Sequence, residues 1–560
     1  MPRLSLYVAL LMGGLLLQVY TIASAQEHAR LAPVSASYAI RNVTITQQPG
    51  RVIDRGVILI RDGLIEAVGI DLPIPRDAVV IDGDSLYAYA AFLDGLSHTG
   101  VSGQETESHE RVPDPGNPTP DQAGITPQRD VRDYLDPDDR SVGDMRCAGF
   151  GAAQVVPNGI FLPGKAAIVL LGGETPDEMV VESGSACYAE LSPNKTVYPS
   201  TIMALMAKWR ELYRQAVLAK EYGETYASNN QGLPRPSSNR VLESLYPVTS
   251  GAQPVLFKAR SVLDLQRVLT LQKELGFLLI LAEVQEGWDL TGKIKDSGAK
   301  VFLSLDLPEY PEKEKKTDED SVEKKPALVV AEIETLKERR TAFIRKMVAQ
   351  ALAFDQAGIK FGFSAMGTRH GDIHKNLYRM LEAGLPPESA LAALTINAAE
   401  LLGVGDRLGT ITKGKIANVV LFDKPVFDKD ATVAMVFVDG RPYTCEEKSK
   451  HKKSAVAVEG SWSFIAHTPQ GGLDLKVLFR KSPDNHWSGN ISGNRLPRPT
   501  ELNSVTVQDR NLTFGYDVIY EGKSYEVTIY GKLEGEKFKG NMNVGEFGQF
   551  AVEGKKDPKR

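Results

Sequence analysis

Residues 57–69 read Val-Ile-Leu-Ile-Arg-Asp-Gly-Leu-Ile-Glu-Ala-Val-Gly: two apolar runs meeting at Asp62-Gly63. An Asp-Gly pair between apolar runs favours a two-residue hairpin, because both turn positions need positive φ. Upstream, Tyr38-Ala-Ile-Arg-Asn-Val-Thr-Ile45 alternates like a strand. A second strand-turn-strand stretch, Gly409-Thr-Ile-Thr-Lys-Gly-Lys-Ile-Ala-Asn-Val-Val-Leu-Phe422, lies far downstream, followed by Val433 to Arg441. Between them, short apolar runs alternate with helical patterns: Val155-Val-Pro, Ile168-Val-Leu-Leu, Val255-Leu-Phe, Leu278-Leu-Ile-Leu, Val301-Phe-Leu and Phe361-Gly-Phe. Such alternation predicts a parallel α/β sheet or barrel. Strands at both ends of it predict one small β-layer built from both ends of the unit.

The ends of the chain read differently. Arg3, the apolar stretch Leu4–Leu17 and the small residues Ala23-Ser24-Ala25 predict a secretory signal over 1–25, cleaved before Gln26. The stretch is short for a membrane anchor, which takes ~20 apolar residues. Export places the protein outside the cell or in a periplasm, with no membrane span after cleavage. A polar linker, Glu446 to Lys453, precedes an all-β unit with period-2 runs at Leu473–Phe479, Leu512–Tyr520 and Tyr525–Tyr530. Its regular turns predict an antiparallel barrel or sandwich. Trp462 and Trp487 there are candidates for stacking on a ligand or for core packing.

Composition narrows the function. Of 560 residues, 42% are hydrophobic and 24% charged, which excludes a disordered chain. The net charge of −6 lacks the basic excess of a nucleic-acid binder. Three cysteines are too few for a disulfide scaffold and leave at least one thiol unpaired.

The opening run Ile60–Gly69, with Val80-Ile-Asp82 and Phe92-Leu-Asp-Gly-Leu-Ser-His98, resembles the start of the amidohydrolase superfamily. The run Ala390-Leu-Ala-Ala-Leu-Thr-Ile-Asn-Ala-Ala-Glu400, with Gly409–Asn418 and Val436–Arg441, resembles its end. The branch it looks closest to is that of secreted proteins similar to imidazolonepropionase. The resemblance implies a distorted (β/α)8 TIM barrel over 91–402. It implies a composite β-sandwich from 36–90 and 403–445; the linker 446–455 and the all-β domain 456–560 follow from the polar run and period-2 pattern above. It also implies hydrolysis of cyclic amides and other non-peptide C–N bonds at the C-terminal ends of the barrel strands, with one or two divalent metals.

The family's metal ligands are two histidines on strand 1, one each on strands 5 and 6, and an aspartate on strand 8. Carried over, the first position holds Leu96 and the second His98. The strand-5 position holds Lys258, the strand-6 position Ala282 or Glu283, and the strand-8 position Met366. Asp94, His98, Lys258, Glu283 and Met366 are therefore the pocket candidates. No catalytic residue is assigned, and no cofactor is expected although the family carries zinc. The substitutions predict no stoichiometric zinc at the barrel mouth and no hydantoinase- or imidazolonepropionase-type turnover.

His370 and His374 stand at i, i+4, which predicts both rings on one helix face beside strand 8. With His98 they are the weak metal candidates. Glu105, Glu107, His109 and Glu110 form an acidic loop after strand 1. Lys258 is expected within ~4 Å of Asp94 or Glu283; it is a salt-bridged filler, an anchor for an anionic ligand, or a catalytic lysine. Two functions stay open: a divergent hydrolase, or an inactive pseudo-enzyme that binds a small molecule or supports an intact paralogue.

Overall fold

The computed structural model describes residues 37–102, 112–194, 196–311, 327–445, 458–468, 471–481, 487–494, 496, 498–508, 511–520, 523–534, 537–544 and 549–557. The signal, the acidic residues 105–110 and the linker lie outside them. The chain divides into two units, Met1–Cys445 and Glu446–Arg560.

The first unit opens with strands β1 (Ser37–Gln48), β2 (Arg51–Arg61), β3 (Leu64–Gly69), β4 (Val79–Asp82) and β5 (Tyr87–Ala90). The β2–β3 hairpin turns at Asp62-Gly63, both with positive φ (49° and 79°), as the sequence requires.

Eight further strands form the second sheet: β6 (Phe92–Ser97), β7 (Phe150–Val155), β8 (Gly164–Leu170), β9 (Val180–Glu190), β10 (Val255–Lys258), β11 (Leu279–Val284), β12 (Lys300–Ser304) and β13 (Phe361–Ser364). They stand in sequence order, and the sheet curls so that β13 returns to β6. There the Ala365 N–H donates to Asp94 Oδ1 (3.0 Å) and the Ser364 hydroxyl to the Leu96 carbonyl (3.1 Å). Gly95 and Gly362 make room inside for Phe302. A Cβ at Gly95 would lie 2.0 Å from that ring, and one at Gly362 2.6 Å.

The barrel departs from strict β/α alternation. β8 runs antiparallel to both β7 and β9. Only residues 156–163 join β7 to β8, and 171–179 join β8 to β9. A parallel crossover needs about a dozen residues or more, so the chain reverses twice. The other neighbouring pairs from β9 to β13, and β6 with β7, are parallel.

The chain then returns to the first sheet with β14 (Val419–Phe422), β15 (Val433–Val438) and β16 (Arg441–Thr444). β14 pairs with β5, so strands from both ends share one eight-stranded sheet. Cys147, which caps the helix Arg140–Arg146, is bonded to Cys445 at the end of β16 (Cα–Cα 5.4 Å).

The second unit holds β17 (Gly460–Thr468), β18 (Gly471–Lys481), β19 (Trp487–Gly493), β20 (Thr500–Glu501), β21 (Ser504–Gln508), β22 (Asn511–Tyr520), β23 (Lys523–Glu534), β24 (Lys537–Val544) and β25 (Gln549–Lys556). All pair antiparallel, and the first strand meets the last. Leu502 N–H donates to the Gly489 carbonyl and Asn503 N–H to the Gly515 carbonyl, which draws the two open edges into a nearly closed barrel. Trp462, Phe464, Phe479, Phe514 and Phe538 fill its interior. The Trp462 indole donates to the Val458 carbonyl (2.8 Å), and Trp487 packs against the same core. Both therefore serve packing. With a core of its own, residues 446–560 expressed alone should give a well-dispersed amide NMR spectrum. A collapsed spectrum would show that this unit needs the rest of the chain.

Candidate active site at the barrel mouth

The C-terminal ends of β6 and β9–β13 converge on a set of ionisable and hydroxyl side chains. Asp94 is fully buried on β6. Its Oδ1 accepts from the N–H groups of Ala365 and Leu96 (3.2 Å), while Oδ2 has no partner among the described residues. Burial pushes its carboxyl up to about 7, against the pull of those N–H groups toward the charged form.

Glu283, also fully buried, stands near the end of β11 with φ +58°, at an irregular register between Leu281 and Val284. Such a backbone in a non-glycine residue costs about 1–3 kcal/mol and is most often found at functional sites. The Ser304 hydroxyl donates to Glu283 Oε2 (3.0 Å), and Ser364 Oγ lies 2.8 Å from Oε1. Burial pushes this carboxyl up to about 7 as well, and the charge of Asp94 adds to it.

The hydroxyl geometry points the same way. Ser364 has one proton and faces two acceptors, the Leu96 carbonyl and Glu283. Both contacts are satisfied together when Glu283 is protonated. Its O–H then donates to Ser364 Oγ, and Ser364 donates to Leu96.

Lys258 ends β10 and makes its ion pair with Glu190 of β9 (3.0 Å). Neither Asp94 nor Glu283 is its partner, contrary to expectation. The register sets this: Lys258 stands beside Glu190 on one side and Ala282 on the other. Arg260, two residues on, pairs with Asp306 beyond β12 and reaches Glu283 Oε2 at 4.0 Å. Tyr188, buried on β9, has its hydroxyl pKa raised well above the ordinary value by burial and by the charges of Glu190 and Glu283.

His98 follows β6, its Nδ1 3.0 Å from the Val156 carbonyl. A carbonyl only accepts, so Nδ1 carries the proton and Nε2 keeps its lone pair. Burial, with the charge of Lys258, lowers its pKa and favours the neutral ring.

The positions to which the sequence assigns the family's ligands are placed as follows. Leu96 is fully buried in the strand, Ala282 occupies the place beside Lys258, and Met366 is nearly buried after β13. Among the described residues no three His, Cys, Asp or Glu side chains are grouped to hold a metal ion. The pairing expected of His370 and His374 also fails. His370 sits in a 3-10 turn before the helix Ile373–Glu382 and faces Asp144 (3.8 Å). His374 packs edge-on against Phe422 (5.7 Å), and burial lowers its pKa.

Sequence reasoning passed over Glu190, Arg260, Asp306, Ser304 and Ser364. A signal existed for three of them. Ser304, Ser364 and Glu190 each end an apolar strand, and in an α/β barrel those ends carry the chemistry.

An eight-stranded barrel with polar groups gathered at the C-terminal strand ends is the architecture of a large class of enzymes. Residues 307–443 match the model of the amidohydrolase family. An imidazolonepropionase of Geobacillus sp. (strain WCH70) is 51% identical over 45 residues, 8% of this chain and 11% of that protein. An adenine deaminase of Moorella thermoacetica is 28% identical over 117 residues, 19% of this chain and 20% of that protein. The aligned segments thus span at most a fifth of these relatives' own length. A crystal structure of an amidohydrolase from Thermotoga maritima superposes with a TM-score of 0.58 at 18% identity, over 73% of this chain and 100% of that one, a likeness of fold. Residues 307–443 thus resemble the amidohydrolase family, and about three quarters of the chain shares the fold of the Thermotoga maritima amidohydrolase.

Proposed function

We propose that this chain is a secreted hydrolase of non-peptide C–N bonds, of the cyclic-amide class, working through an altered centre. The observation that carries the reading is Glu283: fully buried, backbone-strained, and held near pKa 7 at the strand ends. A carboxyl poised there gives a proton to a leaving nitrogen and takes one from water at neutral pH. Burial keeps Glu283 high in pKa, the charge of Asp94 adding a little, and Arg260 reaches it at 4.0 Å. No zinc is part of this reading. The Cys147–Cys445 bridge supports export, since such bonds persist in oxidising compartments.

A second reading has its own support. Leu96 and the Lys258–Glu190 pair occupy the places of donors, which suits a non-catalytic protein that binds a small molecule or supports an intact paralogue.

Ring opening of small cyclic imides and activated lactams, followed by ultraviolet absorbance with and without a chelator, separates these readings. The expected result is turnover indifferent to chelator and reduced about 100-fold or more in Glu283→Gln. Turnover abolished by chelator would reject the altered centre. Absence of turnover across the panel would put the binding reading first.

A further inference from the structure

Arg260 is held in place yet keeps unused donors. Its backbone carbonyl accepts from the N–H groups of Gln285 (3.1 Å) and Glu286 (3.0 Å), which ties the end of β10 to the turn after Glu283. Its Nη2 donates to Asp306 Oδ2. Asp306 is fixed in turn: its N–H donates to Ser304 Oγ (3.0 Å), and Gln285 Nε2 donates to its carbonyl oxygen (2.7 Å). Ser304 is also the hydroxyl that donates to Glu283 Oε2. One connected frame therefore sets the guanidinium and the Glu283 carboxyl, with Arg260 Nε 4.0 Å from Oε2.

A guanidinium carries more N–H donors than one carboxylate oxygen can use. Among the described residues, Nε and Nη1 of Arg260 make no hydrogen bond. The space over them is open. The side chain is 40% exposed, and a Cβ placed at Gly367, in the turn after β13, would still lie 4.0 Å from Nη1. Lys258, the other cation at these strand ends, has its charge engaged by Glu190. An oriented cation with free N–H groups beside an acid is suited to steady an oxygen as it gains negative charge.

We infer that Arg260 is the electrophile of this centre: its free N–H groups receive the carbonyl oxygen of the scissile cyclic amide beside Glu283. The inference rests on the hydrolase reading above. Water's oxygen bonds to the carbonyl carbon, and its proton passes to the Glu283 carboxylate. The carbonyl π pair moves onto the oxygen held by Arg260. When that pair returns, the C–N bond breaks, and Glu283 gives the proton to the departing nitrogen. Arg260 keeps its own protons throughout, since a guanidinium stays charged.

The test has two arms. Ring opening is measured in Arg260→Gln and Arg260→Lys. A contact that strengthens only as the oxygen gains charge acts on kcat, so kcat should fall about 100-fold in Arg260→Gln while KM moves little. Arg260→Lys should recover part of the loss, and circular dichroism checks that each variant is folded. The other arm needs no turnover. It is calorimetric titration with saccharin, a cyclic imide analogue whose tetrahedral sulfonyl oxygens mimic the attacked carbonyl. The wild type should bind it, and Arg260→Gln should bind it about 10-fold or more weakly. Turnover and saccharin binding both unchanged in Arg260→Gln would overturn the inference and leave the hydrolase reading standing. A rise in KM with kcat intact would also overturn it, in favour of a ground-state anchor. Saccharin binding that depends on Arg260, in a wild type without turnover, would support the oxygen contact and remove the hydrolase reading. A wild type that neither turns over nor binds saccharin would overturn both.

Discussion

Asp94→Asn should raise the melting temperature by several degrees at pH 8 and leave it nearly unchanged at pH 4. Asp94 is fully buried, and its carboxyl is pushed up to about 7. The folded chain therefore holds this proton more tightly than the unfolded chain, whose aspartates titrate near ~3.9. The sign follows from linkage. The contribution is fully present below the unfolded value and is lost as pH rises through about 7. About three units of displacement correspond to about 4 kcal/mol, an order-of-magnitude ceiling. Asparagine keeps an oxygen for the N–H groups of Ala365 and Leu96 and carries no charge at any pH. Its melting curve should thus be flatter between pH 4 and 8 than the wild type's. Part of the gain passes through Glu283, which loses a repelling neighbour. Parallel wild-type and variant profiles would refute the burial of an ionising Asp94.

Asp94 was open to sequence reading because a motif with fixed spacing frames it, and Glu283 to within a residue or two because it lies at the end of an apolar run. Asp94 lies two residues before Leu96 in the strand-1 motif, and Glu283 closes the apolar run of β11. That Leu96 offers no lone pair and Met366 no carboxylate was equally legible, since a leucine or methionine reads the same in a sequence and in a barrel. What could not be read was lateral. Lys258 and Glu190 are 68 positions apart in the numbering and meet because β9 and β10 pair in one register. No local pattern carries that register, so an ion pair with Asp94 or Glu283 looked as reasonable as the true one. The reversal of β8 had a readable cause in its short connections, but it needed β9 to be recognised first. That strand begins Val-Val-Glu-Ser-Gly-Ser and shows its apolar character only from Ala186 onward. The i, i+4 rule misled for His370 and His374 because it presumes a helix through both. Here the helix begins at Ile373.

The cysteines offer the other large effect. Cys147→Ser, or reduction of the wild type, should destabilise the first unit by about 2–4 kcal/mol, the usual range for a native bridge. The bridge spans a sequence separation of 298, and long closed loops constrain the unfolded chain most. It also ties the last strand of the first sheet to the helix that leads into β7. Beside it the Arg146 guanidinium sits 4.0 Å over the Tyr443 ring, and the Tyr443 hydroxyl accepts from the Gly173 N–H (3.1 Å). Loss of the bridge should therefore free β16 first, because that edge strand has β15 as its neighbour in the sheet. Thiol counting gives an independent readout. Cys187 is buried, with burial pushing its pKa up to about 12, so the native oxidised protein should show no reactive thiol. Unfolding without reductant should expose one, and unfolding after reduction should expose three. Three thiols without reductant, in protein recovered from an oxidising compartment, would show that the bridge does not form. The stability difference would then vanish with it, and the case for export would rest on the N-terminal sequence alone.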